Sequence, residues 1–207
     1  MPTFRHENAL GRKEGAVICG VDEAGRGPLA GPVVACAAIL PLSNISTRLL
    51  GALDDSKRLT AEVREALAEK LRVKAIYALG EASVEEIDRF NILRATFIAM
   101  RRAFEKLPLQ PQHAIIDGNM KPGLPCAETT LVEGDHLSYS IAAASILAKV
   151  ARDKMMRELH LDHPRYGWER NVGYGTKEHL AAIDLHGVTP HHRTSFRPVY
   201  EQLTLID

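Results

Sequence analysis

The chain has 207 residues, 45% of them hydrophobic, with 26 Lys and Arg against 26 Asp and Glu and a formal charge of zero at pH 7. That length supports one sizeable core with a small addition, and the balanced charge excludes a surface coated in basic residues for nonspecific nucleic-acid binding, leaving only a local basic groove. No run reaches the roughly 20 apolar residues of a membrane span, and residues 1–15 carry Arg5, Glu7, Arg12, Lys13 and Glu14 in place of a signal-peptide centre, so a cytoplasmic protein without a membrane partner is expected.

Cys19, Cys36 and Cys126 are far apart and lack Cys-x-x-Cys spacing, which suits reduced thiols. Residues 16–21 form a short, nearly continuous apolar run and predict a buried central strand. Asp22 and Glu23 follow at its C-terminal end, where open α/β sheets place their sites. A turn rich in Gly and Pro comes next, and 32–40 predicts a second strand ended by Pro41. The link between them is shorter than the dozen or so residues of a crossover, so the pair should be antiparallel. Gly25-x-Gly27 leads into Pro28 and a strand, not a helix, and Arg26-Gly27 stands where a phosphate loop requires Gly-Lys-Ser/Thr, so nucleotide-cofactor patterns fail. Adjacent strand residues point to opposite faces. Asp22 and Glu23 can therefore share a site only if the strand twists or ends between them, and Gly25 favours an early ending.

Residues 54–58 form a polar turn, and Thr60 is placed to cap a helix ending near 72. A third strand is expected over 74–82, followed by a capping box of Ser83 with Glu86. Helical periodicity over 91–107 offers Ile92, Ala95, Phe97, Ile98, Met100 and Phe104 to the core. Residues 113–117 predict a strand ending in Asp117, and 129–132 another running into Glu133-Gly134-Asp135. A long helix over 137–160 carries small Ala and Ser residues that would let it lie close to a sheet. Its Lys149, Arg152, Lys154 and Arg157, with Asp153 and Glu158, read as a solvated face. In the last fifth, Gly173-Tyr174-Gly175 is followed by Thr176 as the cap of a helix to about 186. The chain thus divides into a main α/β domain, 1–160, and a small helical extension, 161–207.

Asp22, Glu23, Asp117 and Asp135 each follow a strand-like segment. Gathered together, they would repel unless cations lay between them. Oxygen ligands favour Mg²⁺ or Mn²⁺ over zinc, and two such ions about 4 Å apart suit in-line attack on a phosphodiester. His-Glu-x-x-His and Gly-x-Ser-x-Gly are both absent, and His160 with His163 reads as a helix end, which leaves zinc and serine hydrolysis unsupported.

Asp22-Glu23-Ala24-Gly25-Arg26-Gly27 with Gly31-Pro32, Asp54-Asp55-Ser56-Lys57, Asp117-Gly118-Asn119, Gly134-Asp135, the run from Ser140 to Lys149, Gly173-Tyr174-Gly175-Thr176, and His192-Arg193 with Ser195-Phe196 together resemble bacterial ribonuclease HII, the type 2 ribonuclease H. The resemblance implies a ribonuclease H-like fold, a mixed central sheet flanked by helices, with the C-terminal extension contributing to substrate binding. It implies an endonuclease that cuts the RNA strand of RNA–DNA hybrids and single ribonucleotides embedded in duplex DNA, leaving 3′-hydroxyl and 5′-phosphate ends. The partners would be those duplexes, and a monomer is expected. Asp22, Glu23, Asp117 and Asp135 match the catalytic, metal-binding carboxylates, with two Mg²⁺ or Mn²⁺ ions. Gly25, Arg26 and Gly27 match the turn that contacts the ribose 2′-hydroxyl, and Tyr174 matches the tyrosine that packs on the sugar at the RNA–DNA junction. Lys57 and Lys149 are candidates for phosphate contact or for tuning the electrostatics of the site. Glu133 stands where the family often has lysine, which removes a local cation. A noncatalytic hybrid-binding module and a junction resolvase of the same fold are the alternatives; the four intact carboxylates count against the first, and Gly25-Arg26-Gly27 with Tyr174 against the second.

Overall fold

The computed structural model describes residues 1–41, 43–53 and 59–204. Strands β1 (Ile18–Ala24), β2 (Val33–Ile39), β3 (Ile76–Ala82), β4 (His113–Asp117) and β5 (Ala127–Leu131) form one sheet in the order β3-β2-β1-β4-β5. The β1–β2 and β2–β3 pairs are antiparallel, as the short link after β1 requires, while β1–β4 and β4–β5 are parallel. β1 is therefore the central strand of a mixed sheet.

Two short helices, α1 (Arg5–Ala9) and α2 (Thr47–Leu50), precede α3 (Ala61–Lys74), α4 (Val84–Phe90) and α5 (Ile92–Glu105). The long α6 (Tyr139–Asp162) is followed by α7 (Trp168–Asn171), α8 (Lys177–His186) and α9 (Arg197–Thr204). The helix starts are written in local chemistry. Thr60 Oγ1 accepts from the Val63 N–H, Thr176 Oγ1 from the His179 N–H, and Ser83 and Glu86 form a reciprocal capping box. α6 is also held from outside. The buried Glu7 of α1 accepts from the Ser138 hydroxyl at 2.7 Å and the Ser140 N–H at 3.0 Å, placing a carboxylate at the positive end of the helix.

The sheet is covered on both faces. Cys19, Val21, Val33, Ala35 and Ala37 pack with Ile87 of α4 and Ala99, Met100 and Phe104 of α5. Cys36 and Ala38 pack with Leu67 and Leu71 of α3 and Ala142, Ala143 and Ile146 of α6. Strand alternation puts Gly20, Asp22 and Ala24 on the α6 side. At Gly20 the helix lies directly on the strand: a Cβ there would fall on the Ser140 carbonyl carbon and the Ile141 nitrogen. A third cluster joins Tyr166, Trp168, Ala182, Ile183 and Val199 of the C-terminal segment to Leu29, Ala30 and Met156.

Two expectations are corrected. β1 does not end early: it stays paired with β2 through Glu23↔Ala35 and Ala24↔Val34, and only its pairing with β4 stops, at Val21↔Ile116. Asp22 and Glu23 thus lie within the last half of β1, at a point where one side of the strand has lost its neighbour. Arg152 is not on a solvated face. It is 1% exposed, because the turn after β1 and the C-terminal segment close over that side of α6. The turn at 54–58, with Lys57, lies outside the described residues.

Gly20→Ala is expected to destabilise the protein by about 3 kcal/mol, the upper range for overpacking, since the obstacle is helix backbone and not a side chain that can swing aside. Urea unfolding would show a lower midpoint at unchanged slope; an unchanged midpoint would mean that α6 can lift off β1 freely.

Candidate active site

Asp22 is 5% exposed and Asp135 7%. Burial comes first, then the charges of Glu23 and Asp117, in pushing the Asp22 carboxyl well above the usual carboxylate range. The Ser145 hydroxyl of α6 and the Glu23 N–H, at 2.7 Å from Oδ1, pull the other way. Asp117, at the end of β4, accepts from the Gly134 N–H at 2.7 Å and so fastens the turn that carries Asp135. That turn is crowded. A Cβ on Gly134 would meet Ile141 of α6 and would lie 3.2 Å from Asp117 Oδ1 and from Leu131 Cβ. The Asp135 carboxylate accepts from the His136 N–H at 3.0 Å.

Among the described residues, no three Asp, Glu, His or Cys side chains are drawn together into a closed metal cage. The described residues show a buried carboxylate with two acidic neighbours, and the Arg26 guanidinium, whose Nη1 lies 3.3 Å from Glu23 Oε1. This all-oxygen, charge-frustrated donor set fits a hard divalent cation, which would relieve the repulsion that burial amplifies.

Beside the carboxylates, the Gly25–Pro32 turn is held from beneath by two guanidiniums. Arg152 donates to the carbonyls of Pro32 at 3.0 Å, Ala30 at 3.0 Å and Val172 at 2.9 Å. Arg193 donates to those of Gly25, Arg26, Gly31 and Pro32. Gly25 has φ +97°, and a Cβ there would strike the Arg152 side chain, so both backbone angle and space demand glycine. Burial lowers the Arg152 pKa to about 10 and the Arg193 pKa to about 9, and both stay charged at neutral pH.

Tyr174 is brought to the same turn. The Leu29 N–H donates to the Gly173 carbonyl at 2.7 Å, and a Cβ on Gly27 would lie 3.5 Å from Tyr174 Cε1. Tyr174 is 44% exposed, yet its backbone is fixed. His179 Nδ1 donates to the Tyr174 carbonyl at 2.9 Å, a tautomer required because His179 Nε2 accepts from Trp168 Nε1–H at 3.0 Å. His192 accepts from the Thr189 N–H at Nδ1 and so turns its Nε2–H toward His179, 3.1 Å away. Burial lowers both histidines, His192 to about 4, so the pair is neutral at pH 7.

The structure therefore brings Asp22, Glu23 and Asp117 into electrostatic contact, joins the Asp135 turn to Asp117, and sets Gly27 beside Tyr174. Lys149 is engaged elsewhere: its Nζ donates to Asp153 at 2.6 Å. Sequence reasoning missed Ser145, read as a small packing residue, and the supporting roles of Arg152, Arg193 and Asp88. Asp88 Oδ1 and Oδ2 accept four bonds, from the N–H and hydroxyl groups of Thr194 and Ser195. Burial raises Asp88, but those bonds outweigh it and leave its pKa lowered. A signal for Arg193 was present in its setting, His192-Arg193 before Ser195-Phe196, but nothing local says which carbonyls it holds.

The family model described as Ribonuclease HII matches residues 19–201. The chain is 57% identical over 195 residues to a ribonuclease HII of Paramagnetospirillum magneticum, covering 94% of this chain and 97% of that protein. Among solved structures it is similar to the ribonuclease H2 of Pyrococcus horikoshii OT3, with TM-score 0.71, 27% identity, and coverage of 91% of this chain and 98% of that one. Bst-RNase HIII, solved in complex with Mn²⁺, shares the fold with TM-score 0.71 at 21% identity, covering 92% of this chain and 70% of that one.

If the Asp22 charge is held against repulsion, Asp22→Asn should raise the melting temperature measured in chelator by about 2–4 °C, the equivalent of about 1 kcal/mol at this size. The amide can keep the bonds to the Glu23 N–H and to Ser145 while shedding the charge. A lower melting temperature would show that the carboxylate is not frustrated.

Proposed function

The chain belongs to the ribonuclease HII family and is a ribonuclease H, an endonuclease acting on RNA–DNA hybrids, and on that premise we propose that it also cuts 5′ of single ribonucleotides embedded in duplex DNA, leaving 3′-hydroxyl and 5′-phosphate ends. Such an activity would serve removal of misincorporated ribonucleotides and of primers. The observation that carries the reading is the adjacency, at one strand end, of the carboxylates Asp22 and Glu23 to the turn Gly25-Arg26-Gly27, with Tyr174 packed beside that turn.

Asp22, Glu23, Asp117 and Asp135 are proposed as the residues that hold the divalent ions, Mg²⁺ or Mn²⁺. Two bound ions would supply Lewis-acid activation of the attacking water and neutralise charge on the leaving oxygen. The protein's own share is placement and discrimination. The Gly25–Gly27 turn offers backbone donors at close range to the ribose 2′-hydroxyl, the group that separates RNA from DNA. Tyr174 packs on the sugar at the RNA–DNA junction, its side chain exposed and its main-chain carbonyl held by His179, so residues 161–207 contribute to substrate binding through it. Lys149 and Lys57 are kept as candidate phosphate contacts, Lys149 through exchange with its Asp153 partner. All these residues lie on one chain, so a monomer suffices, and among the described residues no helix is long and apolar enough to cross a membrane.

A duplex with one internal ribonucleotide, incubated with Mg²⁺ or Mn²⁺ and separately with chelator, is expected to be cut only with metal, and an all-DNA duplex not at all. Cleavage in chelator, or equal cleavage of DNA, would overturn the reading. Asp22→Asn should lower turnover at least about 10³-fold with substrate affinity largely kept. Tyr174→Ala should reduce single-ribonucleotide cleavage about tenfold more than cleavage of a long hybrid, a difference of about 1.4 kcal/mol. Equal loss on both substrates would remove its role at the junction.

A further inference from the structure

Arg193 is fully buried, and none of the carboxylates in the chain pairs with it among the described residues. Its donors go to main-chain carbonyls instead. Nη2 reaches the Gly25 carbonyl at 2.6 Å, Nη1 the Arg26 carbonyl at 3.0 Å, and Nε and Nη2 the Gly31 carbonyl at 3.0 and 2.8 Å. The consequence lies on the other side of each peptide. A trans peptide is planar, with C=O and N–H pointing in opposite directions, and the described chain has no cis bond. The Gly25 carbonyl shares its peptide with the Arg26 N–H, and the Arg26 carbonyl shares its peptide with the Gly27 N–H. Both carbonyls turn inward to one guanidinium, so both N–H groups turn outward. Residues 26 and 27 are exposed, and among the described residues no group accepts from either N–H.

We propose that Arg193 is a positioning residue for ribose recognition: by holding the Gly25 and Arg26 carbonyls it aims the Arg26 and Gly27 amides at the substrate's 2′-hydroxyl. This rests on the reading of that turn as the ribose contact. A deoxyribose leaves the two aimed amides without an acceptor, and a site built around such a bond rejects the analogue that lacks it. Arginine suits the task because its rigid fork presents five donors in one plane, whereas lysine offers three from a single point. Its place in the fold is secured on both sides. The Arg193 N–H donates to the Leu29 carbonyl at 2.8 Å, and the next two residues are tied by four bonds to Asp88 of α4.

The test is fluorescence anisotropy of the full chain in chelator on two duplexes of one sequence, all-DNA or with one ribonucleotide, together with amide chemical shifts of Arg26 and Gly27. Wild type should prefer the ribonucleotide duplex, with both amides shifting more on it than on DNA; no preference and no such shifts would overturn the turn reading itself and this inference with it. Arg193→Lys should lose about tenfold of that preference while binding all-DNA as wild type does. Arg102→Lys is the control, since the Arg102 guanidinium forks the Glu86 carboxylate and the Glu81 carbonyl and bonds no part of the turn after β1, and it should keep the preference. A preference kept by Arg193→Lys, or lost equally in both variants, would overturn the positioning role alone. Asp88→Asn loosens the same segment with the guanidinium in place, and decides the matter should Arg193→Lys fail to fold. Reduced preference at unchanged DNA affinity supports the role, and full preference overturns it.

Discussion

The contact of α6 along β1 is the constraint on which the site depends. It begins at Gly20, where the absence of a side chain lets the helix backbone at Ser140 and Ile141 rest on the strand. From there the two elements advance together. Asp22 meets Ser145, and Gly25 meets Arg152. The spacing agrees with elementary geometry: five strand residues from 20 to 25 span about 16 Å, and eleven helical residues from 141 to 152 span about the same. One close approach therefore sets, in register, the hydroxyl that supports the buried carboxylate and the cation that fills the space under the turn. Beyond the strand the same helix continues to Met156, whose sulfur occupies the place a Cβ on Gly31 would take.

That register also sorts charge. At the carboxylate end of the site Asp22 is raised by burial and by its acidic neighbours. A few residues on, two buried arginines have carbonyls for partners and, among the described residues, no carboxylate in direct contact. Had Arg152 or Arg193 reached Asp22, the charges would have cancelled and the repulsion among the carboxylates would have been relieved from within the chain. Carbonyl oxygens satisfy a guanidinium without neutralising it. The turn thus lies between the acidic side chains at the end of β1 and a cationic scaffold.

Much of this was legible in the sequence, and the part that was not has a common cause. Strands ending in Asp117 and leading to Asp135, the caps at Thr60, Ser83 and Thr176, and the antiparallel return after β1 are local patterns, and each is found where the pattern places it. The end of β1 was misjudged because Gly25 and the carboxylates signal a turn, while pairing with β2, a nonlocal partner, carries the strand on to Ala24. Arg152 was misjudged because its helix neighbours Lys149, Lys154 and Arg157 are charged and outward-facing residues are the rule there. Its burial is decided by residues 30, 32 and 172, which no window around 152 contains.

The C-terminal segment, read from sequence as an addition, turns out to share a core with Leu29, Ala30 and Met156 and to complete the turn after β1. Joining Gly25 to Arg193 closes a loop of most of the chain, but that entropy grows only with the logarithm of length, so distance in sequence adds little beyond what a shorter loop would cost. The larger cost is ordering 161–207, a stretch with short helices and many turns. It is offset by dense local chemistry: the stacked Tyr166 and Trp168 rings 5.2 Å apart, the neutral pair His179 and His192 with every ring nitrogen engaged, and the fourfold anchor on Asp88. Because those same groups fix the Tyr174 backbone and hold Arg193 under the turn, the ordering of the last fifth of the chain and the geometry that would discriminate ribose from deoxyribose are one event, and loosening either should be felt in the other.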